Sequence, residues 1–401
     1  MSIAPRRPPA QWGIRLRRML GGRSGWGGLL LQLLFLVALI WIGYEIVDNA
    51  RGNLANQRIA SGFTFMSHTA GFGVSQALIP YSEADSYTRV FLVGLVNTLA
   101  VSVVGIVFAT ILGFVIALCR LSPNWLIARI GGAYVEVVRN LPLLFQILFW
   151  YLAVLGTLPN PRQSVSLFDT FFLSIRGIVV PRPIGEAGLG AFLLALAIAA
   201  AVAILLPIYA RRRLYRTGRR LRVWPVVLAT LIVLPTLAMA IFGRPVSFEI
   251  PELKGFNFAG GARLPPEFVA LTLALSTYTA AFIAEIVRAG IQSVPKGQME
   301  AGASLGLSHG TTLRLIVIPQ ALRVILPPLT NQYLNLTKNS SLAVAIGYPD
   351  LFSVFAGTTL SQTGQAIEII AITMGVYLLL SLITSALMSF YAWRLGRSMG
   401  T

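Results

Sequence analysis

The chain has 401 residues, of which 56% are hydrophobic and only 11% charged, whereas soluble globular domains run near one quarter charged. Its 32 Lys and Arg against 14 Asp and Glu give a formal charge of +18. This balance excludes an ordinary soluble domain and points to a bilayer, whose core of roughly 30 Å takes about 20 consecutive apolar residues as a helix. Cys119 is the single cysteine, so no internal disulfide forms, and His68 and His309 stand apart without a Cys or carboxylate cluster, so no metal site is implied.

In chain order, residues 1–28 are a basic leader with six arginines and several Gly and Pro, expected to be disordered and cytoplasmic. Residues 29–47 follow as the first apolar stretch. It lacks a small-x-small cleavage pattern and runs on to Glu45 and Asp48, so it reads as a retained helix rather than a secretory signal. Further candidate spans cover residues 91–118, 134–156, 189–209, 223–242, 267–288, 315–347 and 366–392. The chain is thus expected to be an all-α polytopic membrane protein with about eight transmembrane helices. Only the stretch 315–347 is doubtful as a plain span, because Pro319, Pro327 and Pro328 each remove a backbone donor. The outer loops Thr64 to Tyr87 and Phe248 to Pro266 mix Gly, aromatic and polar residues, and irregular structure is expected there.

Charge orients the chain. With a cytoplasmic N-terminus, the inner segments hold 21 of the Lys and Arg and the outer loops 9, which places both termini in the cytoplasm. The densest basic run, Arg211 to Arg222, lies between two apolar stretches and is too short for a nucleic-acid reading module. No fixed-period repeat is evident, and the spans do not divide into two matching halves.

Between the sixth and seventh spans lies Val294-Pro295-Lys296-Gly297-Gln298-Met299-Glu300-Ala301-Gly302-Ala303-Ser304-Leu305-Gly306-Leu307-Ser308. Pro295 suits the start of a helix and Gly306 a left-handed end, so a short helix of about ten residues is expected. It is too short and too polar to span. Ala301, Gly302 and Ala303 leave its surface without bulk, which suits a docking lug for another protein; an ordinary loop helix resting on the membrane face is the alternative.

These residues resemble the permease subunits of ABC importers, whose cytoplasmic loop reads Glu-Ala-Ala, three residues, Gly, nine residues, Ile-x-Leu-Pro. Glu300, Ala301 and Gly306 stand at that spacing, and Ile316, Val317, Ile318 and Pro319 follow. Gly302 replaces the second alanine and Ile318 the leucine. Gly94 to Leu99, Glu136 to Leu144, Ala281 to Arg288 and Leu329 to Ala343 are similar to the polar amino-acid branch of that family. The resemblance covers residues 91 to about 395. Relative to the small members, this chain adds the segment 29–90 and an inserted two-helix segment, 158–265, a layout similar to the larger permease of broad-specificity L-amino-acid importers.

The resemblance implies an amino-acid permease with a cytoplasmic coupling helix at 294–308. Its implied partners are two cytoplasmic ATPase subunits, a periplasmic amino-acid-binding protein and a second permease, a paralogue. Lys254, Lys296 and Lys338 lack the Gly-Lys-Ser/Thr setting of a phosphate-binding loop, so this chain is expected to bind no cofactor and to leave ATP to a partner. ATPase coupling is assigned to Glu300, Ala301, Gly302, Gly306 and Pro319. The candidates for the substrate pathway are Asn140, Gln146, Glu285, Asn331, Asn335, Thr337, Lys338, Asn339 and Ser340, because amides and hydroxyls can replace water around an amino acid. An ion-coupled secondary transporter is the rival reading; it would use Glu285 and Lys338, although Glu285 can instead pair with Arg288 one turn away.

Overall fold

The structure, a computed structural model, describes residues 26–56 and 62–398. Most of the basic leader therefore lies outside the described residues. Helix α1 (Trp26–Asn56) contains the first apolar span, Leu30–Asn49, which is exposed along its length. Such a helix, apolar all round, satisfies its own backbone and leaves its side chains to lipid.

The core is built on α2 (Tyr87–Arg120) packed along α7 (Pro266–Gln292). Lipid is as apolar as Leu, so helices in a membrane associate through close packing at small residues. A Cβ on Gly113 would stand 2.7 Å from Ile283, and one on Gly290 2.3 Å from Ile325. α9 (His309–Ile346) packs against both α2 and α7, and α10 (Ala366–Ser398) lies beside α9.

The expected spans change in two places. The stretch 134–156 is not a straight span: α3 (Trp125–Asn140) and α4 (Leu143–Leu155) meet at a bend of 107°. Pro142 has no N–H to continue α3 and forces the preceding residue toward extended backbone, and Leu141 has φ −94° and ψ 132°. The pair nevertheless joins the two ends of the bundle. Trp125 follows the end of α2, whereas the Tyr151 hydroxyl donates to Glu267 in the first turn of α7 at 3.0 Å. Conversely, 315–347 is not interrupted. A π-helical turn, Leu313–Val317, leads into Pro319, and Pro327 and Pro328 sit inside continuous helix. Among the described residues, seven helices are thus long and apolar enough to cross a membrane, with the bent pair as an eighth.

Residues 158–265, expected as a two-helix insertion, hold strands as well as helices. The hairpin of α5 (Leu189–Thr217) and α6 (Val223–Phe242) is flanked by eight short strands, β1 (Val165–Leu167), β2 (Phe171–Ser174), β3 (Gly177–Val180), β4 (Arg182–Gly185), β5 (Val246–Glu249), β6 (Glu252–Lys254), β7 (Asn257–Ala259) and β8 (Ala262–Leu264). They form an antiparallel sheet of order β1-β2-β3-β8 and two pairs, β4-β5 and β6-β7. The irregular structure expected at Phe248 to Pro266 is replaced by strands: β5 and β8 find partners across the hairpin, where Arg182 pairs Glu249 and Ile178 pairs Leu264, while β6 and β7 pair with each other. Gly177 (φ +95°) makes this possible, since a Cβ there would meet the Leu264 carbonyl at 2.1 Å. Arg162 lies over the Phe256 ring at 3.9 Å, adding a cation–π contact within the cap.

At the same end, the loop before α2 has mostly irregular backbone but is pinned. Phe65 is buried with Tyr87, Leu351, Val354 and Phe355, and the Gly62 N–H donates to Glu368 at 2.6 Å.

Candidate functional site

α8 (Lys296–Ser304) lies between α7 and α9, capped by Pro295 and closed by Gly306 at φ +73°. The Gly306 N–H bonds the Ala303 carbonyl at 2.9 Å and the Leu307 N–H bonds that of Gly302 at 3.1 Å, so the last carbonyls are satisfied by a left-handed ending. Gly302 is buried against Thr312, and Gln320 donates to Gln298 at 3.3 Å. These contacts fix α8 to the start of α9. Glu300, Ala301, Ala303 and Leu305 remain exposed on its free face. Pro319 is not on that face; it sits in the first turn of the helix that begins at Ile318, where a π turn accommodates it.

One turn inside this end, Glu285 is held by two arginines. Arg120, the last residue of α2, donates to its Oε2, and Arg288 donates to Oε1 at 2.5 Å and to Oε2 at 3.2 Å. Glu285 therefore ties α2 to α7. Its pairing with Arg288 follows from the three-residue spacing, but Arg120 lies 165 positions away and no local signal reveals it.

The remaining pathway candidates separate by face. On α9, Val324, Pro327, Asn331, Asn335 and Lys338 are exposed at intervals of three and four residues, forming one stripe. Pro327 and Pro328 lack the N–H that would bond the carbonyls of Arg323 and Val324, so two backbone acceptors join the stripe. Lys338 has no acidic partner among the described residues and lines an open cleft of about 420 Å³ with Ser341, Thr373 and Tyr377. Thr337 and Ser340 lie on the buried side, where their hydroxyls donate to the carbonyls of Tyr333 (3.1 Å) and Thr337 (2.8 Å). Asn339 is half-buried on the flank.

Asn140 and Gln146 belong to the bend. Gln146 is buried, and its amide donates to the carbonyls of Val138 at 2.9 Å and Leu141 at 3.1 Å, which the break in α3 leaves unpaired. Asn140 donates to the Glu136 carbonyl at 2.7 Å. Gln146 thus satisfies the bend, whereas Asn140 is exposed and bonds within its own helix.

At the opposite end is a polar cluster that the candidate set omits. Asn97 is buried and donates to the carbonyls of Gln76 at 2.8 Å and Pro349 at 2.9 Å, while the Tyr348 hydroxyl donates to the Asn97 carbonyl at 3.0 Å. Thr98 accepts the Leu351 N–H at 2.9 Å. Asp350, in the link outside the spans, accepts from the Ser353 N–H at 2.8 Å and the Tyr377 hydroxyl at 3.0 Å. Burial pushes its carboxyl up to about 6 despite those two donors. The signal was present in the sequence: an Asp before an apolar run with Ser three residues on is a helix-start pattern. Gly94 completes the cluster, since a Cβ there would meet Val354 at 2.6 Å and Leu351 Cα at 2.8 Å.

This bundle with a short, exposed helix between its sixth and seventh spans is the architecture of a membrane-embedded transport subunit, and comparison with known proteins defines it further. The family model described as "Binding-protein-dependent transport system inner membrane component" matches residues 203–397. The chain is 54% identical over 366 residues to the putative amino-acid ABC transporter permease protein YhdX of Escherichia coli K12, covering 91% of this chain and 93% of that one. It is 49% identical to the general L-amino acid transport system permease protein AapQ of Rhizobium johnstonii, covering 90% of each. It is 41% identical to the glutamate/glutamine/aspartate/asparagine transport system permease protein BztB of Rhodobacter capsulatus, covering 90% and 91%. The chain belongs to the ABC importer permease family, as a multi-pass inner-membrane subunit that leaves ATP hydrolysis to other subunits.

Proposed function

We propose that this permease carries L-amino acids from periplasm to cytoplasm by alternating access, paired with a second permease and driven by two ATPase subunits that engage α8. The observation that carries the reading is the α9 stripe. Asn331, Asn335 and Lys338 are exposed within a membrane helix, and polar or charged groups there face a cavity or another protein rather than lipid. A second permease, paralogous to this one, would close the stripe into a path. Amides and freed carbonyls can take the place of water around an ammonium group, and Lys338 can meet the carboxylate. The amino-acid transport roles of AapQ and BztB support amino acids as the substrate class, and the binding-protein-dependent family supports delivery by a periplasmic binding protein.

Eight crossings, with the bent pair counted as one, would put both termini and α8 on one side, and the distribution of Lys and Arg supports the cytoplasm as that side. The test is uptake by the assembled importer in proteoliposomes. Lys338→Met and Asn335→Ala should raise the KM for substrate about tenfold, while Thr337→Val, on the buried side, should leave it within twofold. Unchanged KM in both stripe variants would remove α9 from the path. Uptake that persists on a proton gradient after ATP depletion would replace the whole reading with an ion-coupled one.

A further inference from the structure

The α5–α6 hairpin ends in Arg211 to Arg222, a run with seven arginines, and no Asp or Glu occurs between Ala187 and Phe248. Among the described residues none of these arginines forms an ion pair. The hairpin has little protein around it. Only Ala199 and Ala210 of α5, and Val227, Pro235 and Ala238 of α6, are buried, so its apolar flanks face lipid. At its basic end the two helices enclose an open groove of about 520 Å³. Pro207, Leu214 and Trp224 supply apolar walls and Arg211, Arg220 and Arg222 a cationic rim.

We infer that this groove is a binding site for an anionic phospholipid, with the phosphate on Arg211, Arg220 and Arg222 and the upper acyl chain along Pro207, Leu214 and Trp224. Uncompensated arginines at the end of a lipid-facing hairpin lie at headgroup depth, where Trp also concentrates. Guanidinium groups bind phosphate oxygens through paired N–H donors. A free phosphate would satisfy the rim but not the apolar walls, and an acidic protein surface would not enter a groove bounded by bilayer-facing residues. The inference depends on the hairpin spanning the membrane and not on the substrate.

The test uses the full-length protein in nanodiscs of neutral lipid doped with phosphatidylglycerol, read by native mass spectrometry as retained lipid. Symmetric discs make the readout independent of orientation and transport, so it can fail or succeed separately from the amino-acid reading. Arg211→Gln/Arg220→Gln/Arg222→Gln should weaken retention about tenfold or more, since each basic residue near a membrane surface contributes measurably to anionic-lipid binding. Arg212→Gln/Arg213→Gln/Arg216→Gln, with the same charge change outside the groove, should weaken it less than threefold, and Trp224→Ala should weaken it severalfold at unchanged charge. Equal losses in the two triple variants would overturn the site in favour of diffuse attraction, as would unchanged retention in the groove variant. Displacement of the lipid by millimolar inorganic phosphate would show a phosphate site only. Loss of copurifying ATPase subunit with lipid retention intact would assign the groove to a protein contact instead.

Discussion

Gly302 and Thr312 touch across the turn between α8 and α9: a Cβ on residue 302 would stand 2.5 Å from Thr312 Cγ2 and 2.7 Å from its Oγ1. The family pattern that this loop resembles carries alanine here, so the glycine is matched to the β-branched threonine facing it. Thr312 cannot swing away freely, because its hydroxyl donates to the Ser308 carbonyl at 3.1 Å.

Gly302→Ala is therefore expected to push α8 off α9, at a cost of about 1–3 kcal/mol for overpacking. Stimulation of ATPase activity by substrate-loaded binding protein should fall in the reconstituted importer, while basal ATPase of the separate nucleotide-binding subunit is untouched. Adding Thr312→Ala should restore most of the stimulation by removing the clashing atoms. A double variant as defective as the single one would argue that residue 302 contacts a partner directly.

Glu285 separates a structural role from a transport role. Glu285→Gln leaves Arg120 and Arg288 facing each other without a counter-charge, whereas Arg288→Gln leaves the Arg120 pair in place. The side chains are partly exposed, so the loss should be roughly 1–2 kcal/mol for Glu285→Gln and smaller for Arg288→Gln. Thermal unfolding in detergent measures it. Uptake per folded complex should stay within about twofold; abolished uptake at unchanged thermal stability would return Glu285 to the pathway.

Asp350 makes stability depend on pH. Its carboxyl titrates at about 6 in the fold, above its ordinary 3.8, so between these values the folded protein holds a proton that the unfolded chain releases. Stability then falls as pH rises through that window, by at most about 2–3 kcal/mol. Asp350→Asn should flatten the decline in unfolding temperature between pH 4 and 7 relative to the parent protein. Parallel pH curves for the two proteins would show that Asp350 is not the titrating group.

Much of this protein is legible from local pattern alone. Runs of apolar residues announce the spans because partition into lipid is a property of a segment's own composition. The uneven spread of arginines suggests an orientation, and Pro295 and Gly306 mark a short helix through backbone preferences that need no partner. Three features depended on the tertiary structure. Pro142 and Pro327 are both prolines in apolar runs, yet the first ends a helix and the second does not, because the outcome depends on whether neighbours such as Gln146 re-satisfy the freed carbonyls in a bent or a straight path. The strands beside the hairpin are too short to read singly, and β3 and β4 find their partners β8 and β5 only across it. Thr337 and Lys338 are adjacent in sequence but lie about 100° apart around α9, one buried and one exposed. Composition marks both as polar. Which of them can meet a substrate is decided by the helices that cover one face of α9, and those contacts come from residues far away in the chain.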